Sequence, residues 1–175
     1  MDANLALARK AKTHEESVTY YQEECKYPEN LEVAPREPNL RGFLYYPIAK
    51  LHQELGNRDE ADRLLQVTAS ESSDYPTIGS FYQALALSEL GKQERADAIL
   101  TELRKTAEAL REGNAPGYGT VDENLREALG LYYSAKLEGD TERGRMQLEK
   151  SLSLEPQIER HAIIVAQLVY ARAHQ

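Results

Sequence analysis

Apolar residues recur with helical spacing along most of the chain, and three of these runs end at a glycine before another run begins. The three segments read LHQELGNRDEADRLL, LSELGKQERADAIL and LEGDTERGRMQLEKSL. Two helical runs separated by a glycine are typical of antiparallel helices joined by a short turn. The pattern predicts nine helices, near residues 2–11, 14–26, 41–55, 58–71, 77–90, 93–112, 121–138, 141–153 and 157–173.

The three segments share one register when they are aligned on their glycines. A small residue and then a leucine follow each glycine at fixed offsets: Gly56, Ala61 and Leu65; Gly91, Ala96 and Leu100; Gly139, Gly144 and Leu148. A glycine adopts the left-handed conformation at little cost and therefore ends the first helix well. We expect the small residue where the second helix crosses the first, and the leucine in the neighbouring groove.

Two stretches interrupt the helical pattern. Residues 27–40 contain three prolines and predict an extended connection. Residues 112–120, EGNAPGYGT, predict a loop rich in turns. Pro47 falls inside the third predicted helix, where a proline removes one hydrogen bond and costs about 3 kcal/mol. That helix therefore either starts late, near Tyr46, or kinks.

The last predicted helix, at 157–173, differs from the others. Its apolar stripe contains Ile163, Ile164, Leu168 and Val169. A stripe on one face suits a terminal helix that covers the end of a stack and keeps its other face wet. Val165 and Tyr170 widen the stripe beyond one face, so pairing with a second copy of the chain stays open.

The cadence of glycine, small residue and leucine resembles the tetratricopeptide repeat, a helical pair of 34 residues. The match is strong over 41–156 and weaker over 1–30, where Ser17 and Tyr21 stand in for the family's Ala and aromatic residue. The resemblance implies a single all-α domain, a right-handed α-solenoid of antiparallel helix pairs. Its units would be a divergent pair at 1–30, repeats at 41–74, 77–112 and 121–156, and a capping helix at 157–173.

A narrower resemblance concerns YPENL, at 27–31, followed by FYQALALSELG. These segments look like the C-terminal part of a group of bacterial proteins in which a β-rich domain, similar to carbohydrate-active enzymes, precedes tetratricopeptide repeats. This resemblance implies that the chain is the helical part of such a protein, with an attached β-rich domain as its partner.

Composition narrows the classes of function. The formal charge is −8 and the pI about 5.1, which argues against binding to a nucleic-acid backbone. Cys25 is the single cysteine, so no internal disulfide can form. The sequence contains no apolar run long enough to span a membrane, and its first residues lack the apolar stretch of a signal peptide. We expect a cytoplasmic protein.

No pattern of catalytic or metal-binding residues is visible. The four histidines are His14, His52, His161 and His174, and no two lie at the spacing that places two ligands on one helical face. The acidic pairs fall on predicted solvent faces or at helix starts, where they suit the helix dipole. The 112–120 loop lacks the Lys-Ser/Thr of a phosphate-binding loop. We expect no enzyme, no metal and no cofactor.

Tyrosine is the informative residue, because the chain has eleven Tyr, two Phe and no Trp. In the tetratricopeptide family the first helix of each pair lines a concave groove. Counted from the glycines, the residues at groove-facing offsets are Tyr46, Lys50, Glu54, Phe81, Glu89, Arg126, Tyr133 and Lys136. Tyrosines with mixed charges suit docking of a peptide or a protein domain. The alternative is that these rings form core between the helices.

The carboxylate clamp of the chaperone-type members does not transfer, because its asparagine and its full basic set are absent here. We therefore expect a non-catalytic scaffold that binds a peptide or a partner domain on its concave face. An accessory module of a larger carbohydrate-active protein and a self-associating unit, such as a homodimer, stay open.

Overall fold

The computed structural model describes residues 2–25, 42–71 and 75–173. Within these residues the chain forms nine α-helices and no strand, so the prediction of an all-α fold is confirmed. The helices are α1 (Asp2–Lys10), α2 (His14–Cys25), α3 (Gly42–Glu54), α4 (Arg58–Ala69), α5 (Ile78–Glu89), α6 (Gln93–Glu112), α7 (Glu123–Glu138), α8 (Glu142–Leu154) and α9 (Ile158–Ala173). Every predicted helix is present, with ends displaced by no more than about two residues, which is the usual uncertainty of a helix boundary.

Each helix from α1 to α7 packs against the next one along the chain. The odd-numbered helices from α3 to α9 also contact one another in series. Helix α9 contacts both α5 and α7, so the last helix folds back across two earlier ones. Two apolar clusters result, one from α1 to α6 and one from α5 to α9.

The glycines that follow the first helices all have positive φ, although the ψ of Gly139, −149°, lies outside the left-handed helical region that the sequence predicts. Gly56, Gly91 and Gly139 have φ values of 79°, 72° and 65°, which side chains disfavour. Ala61 and Ala96 are completely buried where the second helices cross the first ones. Small residues at these positions therefore let the paired helices approach closely.

The third pair departs from this register. Three residues separate the two helices in each of these pairs, but Gly139 is the first residue of its turn, whereas Gly56 and Gly91 are the second residues of theirs. Gly144 is therefore the third residue of α8, whereas Ala61 and Ala96 are the fourth residues of α4 and α6. The prediction that Leu148 fills a groove is wrong, because its exposed fraction is 36%. Ser151 takes the buried position instead, and its Oγ donates a 2.7 Å hydrogen bond to the carbonyl oxygen of Ala128 on α7.

Pro47 lies inside α3, which already begins at Gly42, so a late start near Tyr46 is ruled out. The loop at 113–122 is anchored, because Ala115 and Tyr118 are buried within it. The predicted extended connection at 27–40, the YPENL segment and His174 lie outside the described residues.

Candidate functional site

A cavity of about 440 Å³ lies where the ends of the chain meet the middle helices. Residues of α1, α2, α3, α5, α7, α8 and α9 line it, together with the segment that joins α8 to α9. The residues that line it are Arg9, Tyr21, Phe43, Pro47, Ile78, Tyr82, Tyr132, Leu152, Pro156, Gln157, Glu159, Arg160 and Ile163. The lining is mainly aromatic and aliphatic, with charged groups contributed by α1 and α9.

Tyr82 is the centre of the aromatic part. Its ring lies 5.4 Å from the ring of Phe81 in an edge-to-face arrangement and 6.1 Å from the ring of Tyr46. These are favourable geometries for paired rings. Burial raises the pKa of Tyr82 to about 12, so its phenol is neutral at physiological pH. Tyr82 therefore contributes a neutral hydroxyl to a mainly apolar wall.

Arg9 and Glu159 join the first helix to the last one across the cavity. The Nη1 atom of Arg9 donates a 2.9 Å hydrogen bond to Oε2 of Glu159. Partial burial disfavours the arginine charge, but the hydrogen bond and the charge of Glu159 outweigh it and raise the pKa of Arg9. Both side chains are about half exposed, so the pair holds the two ends together only weakly.

Lys136 lies beside the cavity, with its Nζ 5.3 Å from the ring centre of Tyr132. The distance suits an attraction between the ammonium group and the face of the ring. Burial lowers the pKa of Lys136, and the nearby charge of Glu159 partly opposes this effect. Lys136 thus places a positive charge beside the cavity in a partly buried position.

Tyr46, Lys50 and Glu89 form a second polar group between α3 and α5. Lys50 Nζ donates to Glu89 Oε1 over 2.8 Å, and the hydroxyl of Tyr46 lies 3.5 Å from the same oxygen. The hydrogen bond from Lys50 holds the pKa of Glu89 below its ordinary value. The structure therefore brings together three residues that the groove offsets placed on two different helices.

The other residues at groove offsets lie in different surroundings. Phe81 packs against Tyr82, and Lys136 adjoins the cavity. Glu54 pairs with His14 at 3.2 Å, while Arg126 lies partly buried near the start of α7, and neither lines the cavity.

The prediction that Tyr133 faces the groove is wrong. Tyr133 is completely buried, and its hydroxyl lies 3.4 Å from that of Tyr118. Its neighbour Tyr132 lines the cavity instead. Adjacent residues on a helix point about 100° apart, so an offset error of one residue exchanges the groove for the core.

None of the residues predicted at groove offsets lines the cavity. Arg9, Glu159, Arg160 and Ile163 belong to terminal helices that the repeat register does not cover. Periodicity shows which face of α9 is apolar, but it does not show that this helix reaches α5 and comes close to α1. Pro47, which lines the cavity, is unusual in the sequence, because a proline inside a helix removes a hydrogen bond and is therefore rare there.

The residues that the structure describes show neither a metal-binding cluster nor a membrane-spanning helix. They contain no cluster of three or more histidine, cysteine or acidic side chains that could hold a metal ion. None of their helices combines the length and apolar character needed to cross a bilayer. His52 is buried, and Asn57 Nδ2 lies 3.3 Å from its Nδ1, while its Nε2 has no hydrogen-bond partner there.

Comparison with protein-family models, curated proteins and solved structures finds no match. The tetratricopeptide resemblance and the relation to bacterial proteins with a β-rich domain therefore stay predictions.

Proposed function

We propose that this chain is an α-solenoid of the tetratricopeptide type that binds a segment of a partner protein on its inner face, without catalysing a reaction. The packing of consecutive helices in pairs, with the odd-numbered helices also in series, supports the solenoid. The buried small residues Ala61 and Ala96 after the glycines support the family.

The cavity is the observation that carries the binding function. Its volume of about 440 Å³ falls within the range of ligand pockets and is enough for a few side chains of a partner. Rings such as Phe43 and Tyr82 offer large contact areas at a low cost in conformational entropy. A site of this kind binds a bulky apolar side chain well.

Binding is favoured over catalysis by the types of residue in the lining. The described residues around the cavity include no serine, cysteine or histidine. Its two arginines and one glutamate include the Arg9–Glu159 pair, in which the two charges offset each other. Nucleophilic catalysis needs an activated nucleophile beside a base, and these side chains do not supply one.

Panning the full chain against a phage library of random peptides tests this function. Selected peptides are synthesised, and their affinities are measured by fluorescence polarisation for the wild type, Phe43→Ala and Arg160→Glu. Both residues line the cavity, and Arg160 is exposed, so we expect the second variant to fold. Arg104→Glu on α6 is the matched control, because it makes the same charge change at an exposed site outside the cavity.

We expect both cavity variants to weaken binding by roughly tenfold or more, and the Arg104 variant to bind like the wild type. Failure to select any peptide, or selection of peptides whose affinity neither cavity variant changes, would contradict the proposed function.

A further inference from the structure

Lys136 differs from the other partly buried lysine of the described residues. Lys50 holds a carboxylate, Glu89, at 2.8 Å. Lys136 has no carboxylate within ion-pair distance in the described part of the chain, and its contact is the face of Tyr132. A lysine that is partly removed from water without a direct ion pair is costly, so its position calls for a compensating group.

The charges around the cavity have the opposite sign to the chain as a whole. The protein carries a formal charge of −8. Around the cavity, however, Arg9 and Lys136 both lie near the carboxylate of Glu159. Glu159 is engaged by Arg9 at 2.9 Å, which leaves the charge of Lys136 in excess among these three groups. An acidic group on a partner would be attracted to this place and repelled from most of the remaining surface.

We propose that the partner segment carries an aspartate or glutamate next to a large apolar residue, with its carboxylate bound by Lys136 and its apolar side chain inserted in the cavity. This inference rests on the proposed function and specifies the chemistry of the partner. The ring of Tyr132 links the two subsites, because it lines the cavity and also lies under Lys136. A neighbouring pair of side chains in one peptide can therefore reach both.

The peptides selected by panning provide the test. Each is compared with a version in which its acidic residue is replaced by the corresponding amide, and both are measured against the wild type and Lys136→Gln. Lys105→Gln is the matched control, because it makes the same charge change on α6, where Lys105 pairs with Glu102. Octanoate is measured as a free apolar acid in a separate arm.

We expect the selected sequences to place Asp or Glu beside Leu, Phe or Tyr. We also expect the amide version and the Lys136 variant each to lose roughly tenfold or more in affinity. Combining the two changes should cost little more than one alone, because both remove the same interaction. The Lys105 variant should bind as the wild type does.

Selected peptides without an acidic residue, or additive losses from the two changes, would overturn the inference while the proposed function stands. Octanoate that binds as tightly as the peptides would overturn it as well, because the site would then serve a small acid. If no peptide depends on the cavity, the proposed function and the inference both fail. The amide comparison uses the wild-type protein, so it decides the question even if Lys136→Gln does not fold.

Discussion

The Cα of Gly144 lies so close to the carbonyl oxygen of Gly139 that an added Cβ would overlap with it. Gly144 is the third residue of α8, and a helical Cβ points back toward the start of its helix. Here that direction leads into the turn at Gly139. The N–H of Gly144 donates to the hydroxyl of Thr141 over 3.0 Å, which fixes the backbone at this approach.

Gly144→Ala should therefore destabilise the protein by about 1–3 kcal/mol, because the turn must shift to make room for the methyl group. This loss should exceed the gain in helix propensity from alanine, which is about 1 kcal/mol. Gly119→Ala is the control, since a Cβ at Gly119 meets nothing within 4 Å. Urea denaturation measures both variants, and equal midpoints for the two would contradict the close approach.

Ala96 tests the crossing of α5 and α6. It is completely buried, whereas Ala98 in the same helix is exposed. Ala96→Lys would place a long charged side chain between the helices, and we expect a loss of about 3 kcal/mol or more. Ala98→Lys makes the same chemical change in solvent and should alter the stability by no more than about 0.5 kcal/mol. Thermal melts that coincide for the two variants would show that the repeat register is wrong.

Two buried tyrosines form a chain of hydrogen bonds that ties the 113–122 loop to the start of α5. The hydroxyl of Tyr118 donates to the carbonyl oxygen of Pro76 over 2.7 Å. It is therefore left to accept from the hydroxyl of Tyr133, which in turn accepts from the N–H of Ile78. Burial raises the pKa of Tyr118 and of Tyr133, so both remain protonated donors across the physiological range.

Tyr118→Phe removes the central hydroxyl and leaves the Pro76 carbonyl without this donor. We expect a loss of about 1–3 kcal/mol in the free energy of unfolding, because a buried polar group loses its partner. The same substitution at Tyr20, which is partly buried on α2 and makes no side-chain hydrogen bond in the described part of the chain, should have little effect. If Tyr118→Phe and Tyr20→Phe unfold at the same urea concentration, the chain of hydrogen bonds contributes nothing.

The helices could be predicted because their signals are local. Gly91 and Ala96 lie five residues apart, and turn geometry alone connects a left-handed glycine with a small residue at the crossing. Leu148 is predicted wrongly because Gly139 lies one position earlier in its turn than Gly56 and Gly91 do, which changes the helix face on which the later residues lie. A register counted from the glycines is therefore only as accurate as the position of each glycine within its turn.

None of the eight groove residues predicted from the sequence lines the cavity, although some of them meet beside it. The Tyr46, Lys50 and Glu89 group followed from offsets within repeats, and its members do meet. The Arg9–Glu159 pair connects residues at opposite ends of the chain. Such a contact depends on the accumulated rotation of every helix pair between them, which no local pattern contains.

The ion pair between Lys50 and Glu89 gives the stability a pH dependence with a defined sign. Folding lowers the pKa of Glu89 below its ordinary value of 4.5, so the ionised carboxylate stabilises the fold above that pH. This contribution is lost as the pH falls through the lowered pKa. Both side chains are about one-third exposed or more, so it should be less than about 1 kcal/mol.

Glu89→Gln should therefore be less stable than the wild type at about pH 7, and the difference should shrink as the pH falls through the lowered pKa of Glu89. Urea denaturation at several pH values measures it. Glu149→Gln on the exposed side of α8 is the control and should track the wild type throughout. A difference between Glu89→Gln and the wild type that stays constant from neutral to acid pH would mean that packing, and not the charge of Glu89, is responsible. The group of Tyr46, Lys50 and Glu89 would then be held together by contact between α3 and α5 alone.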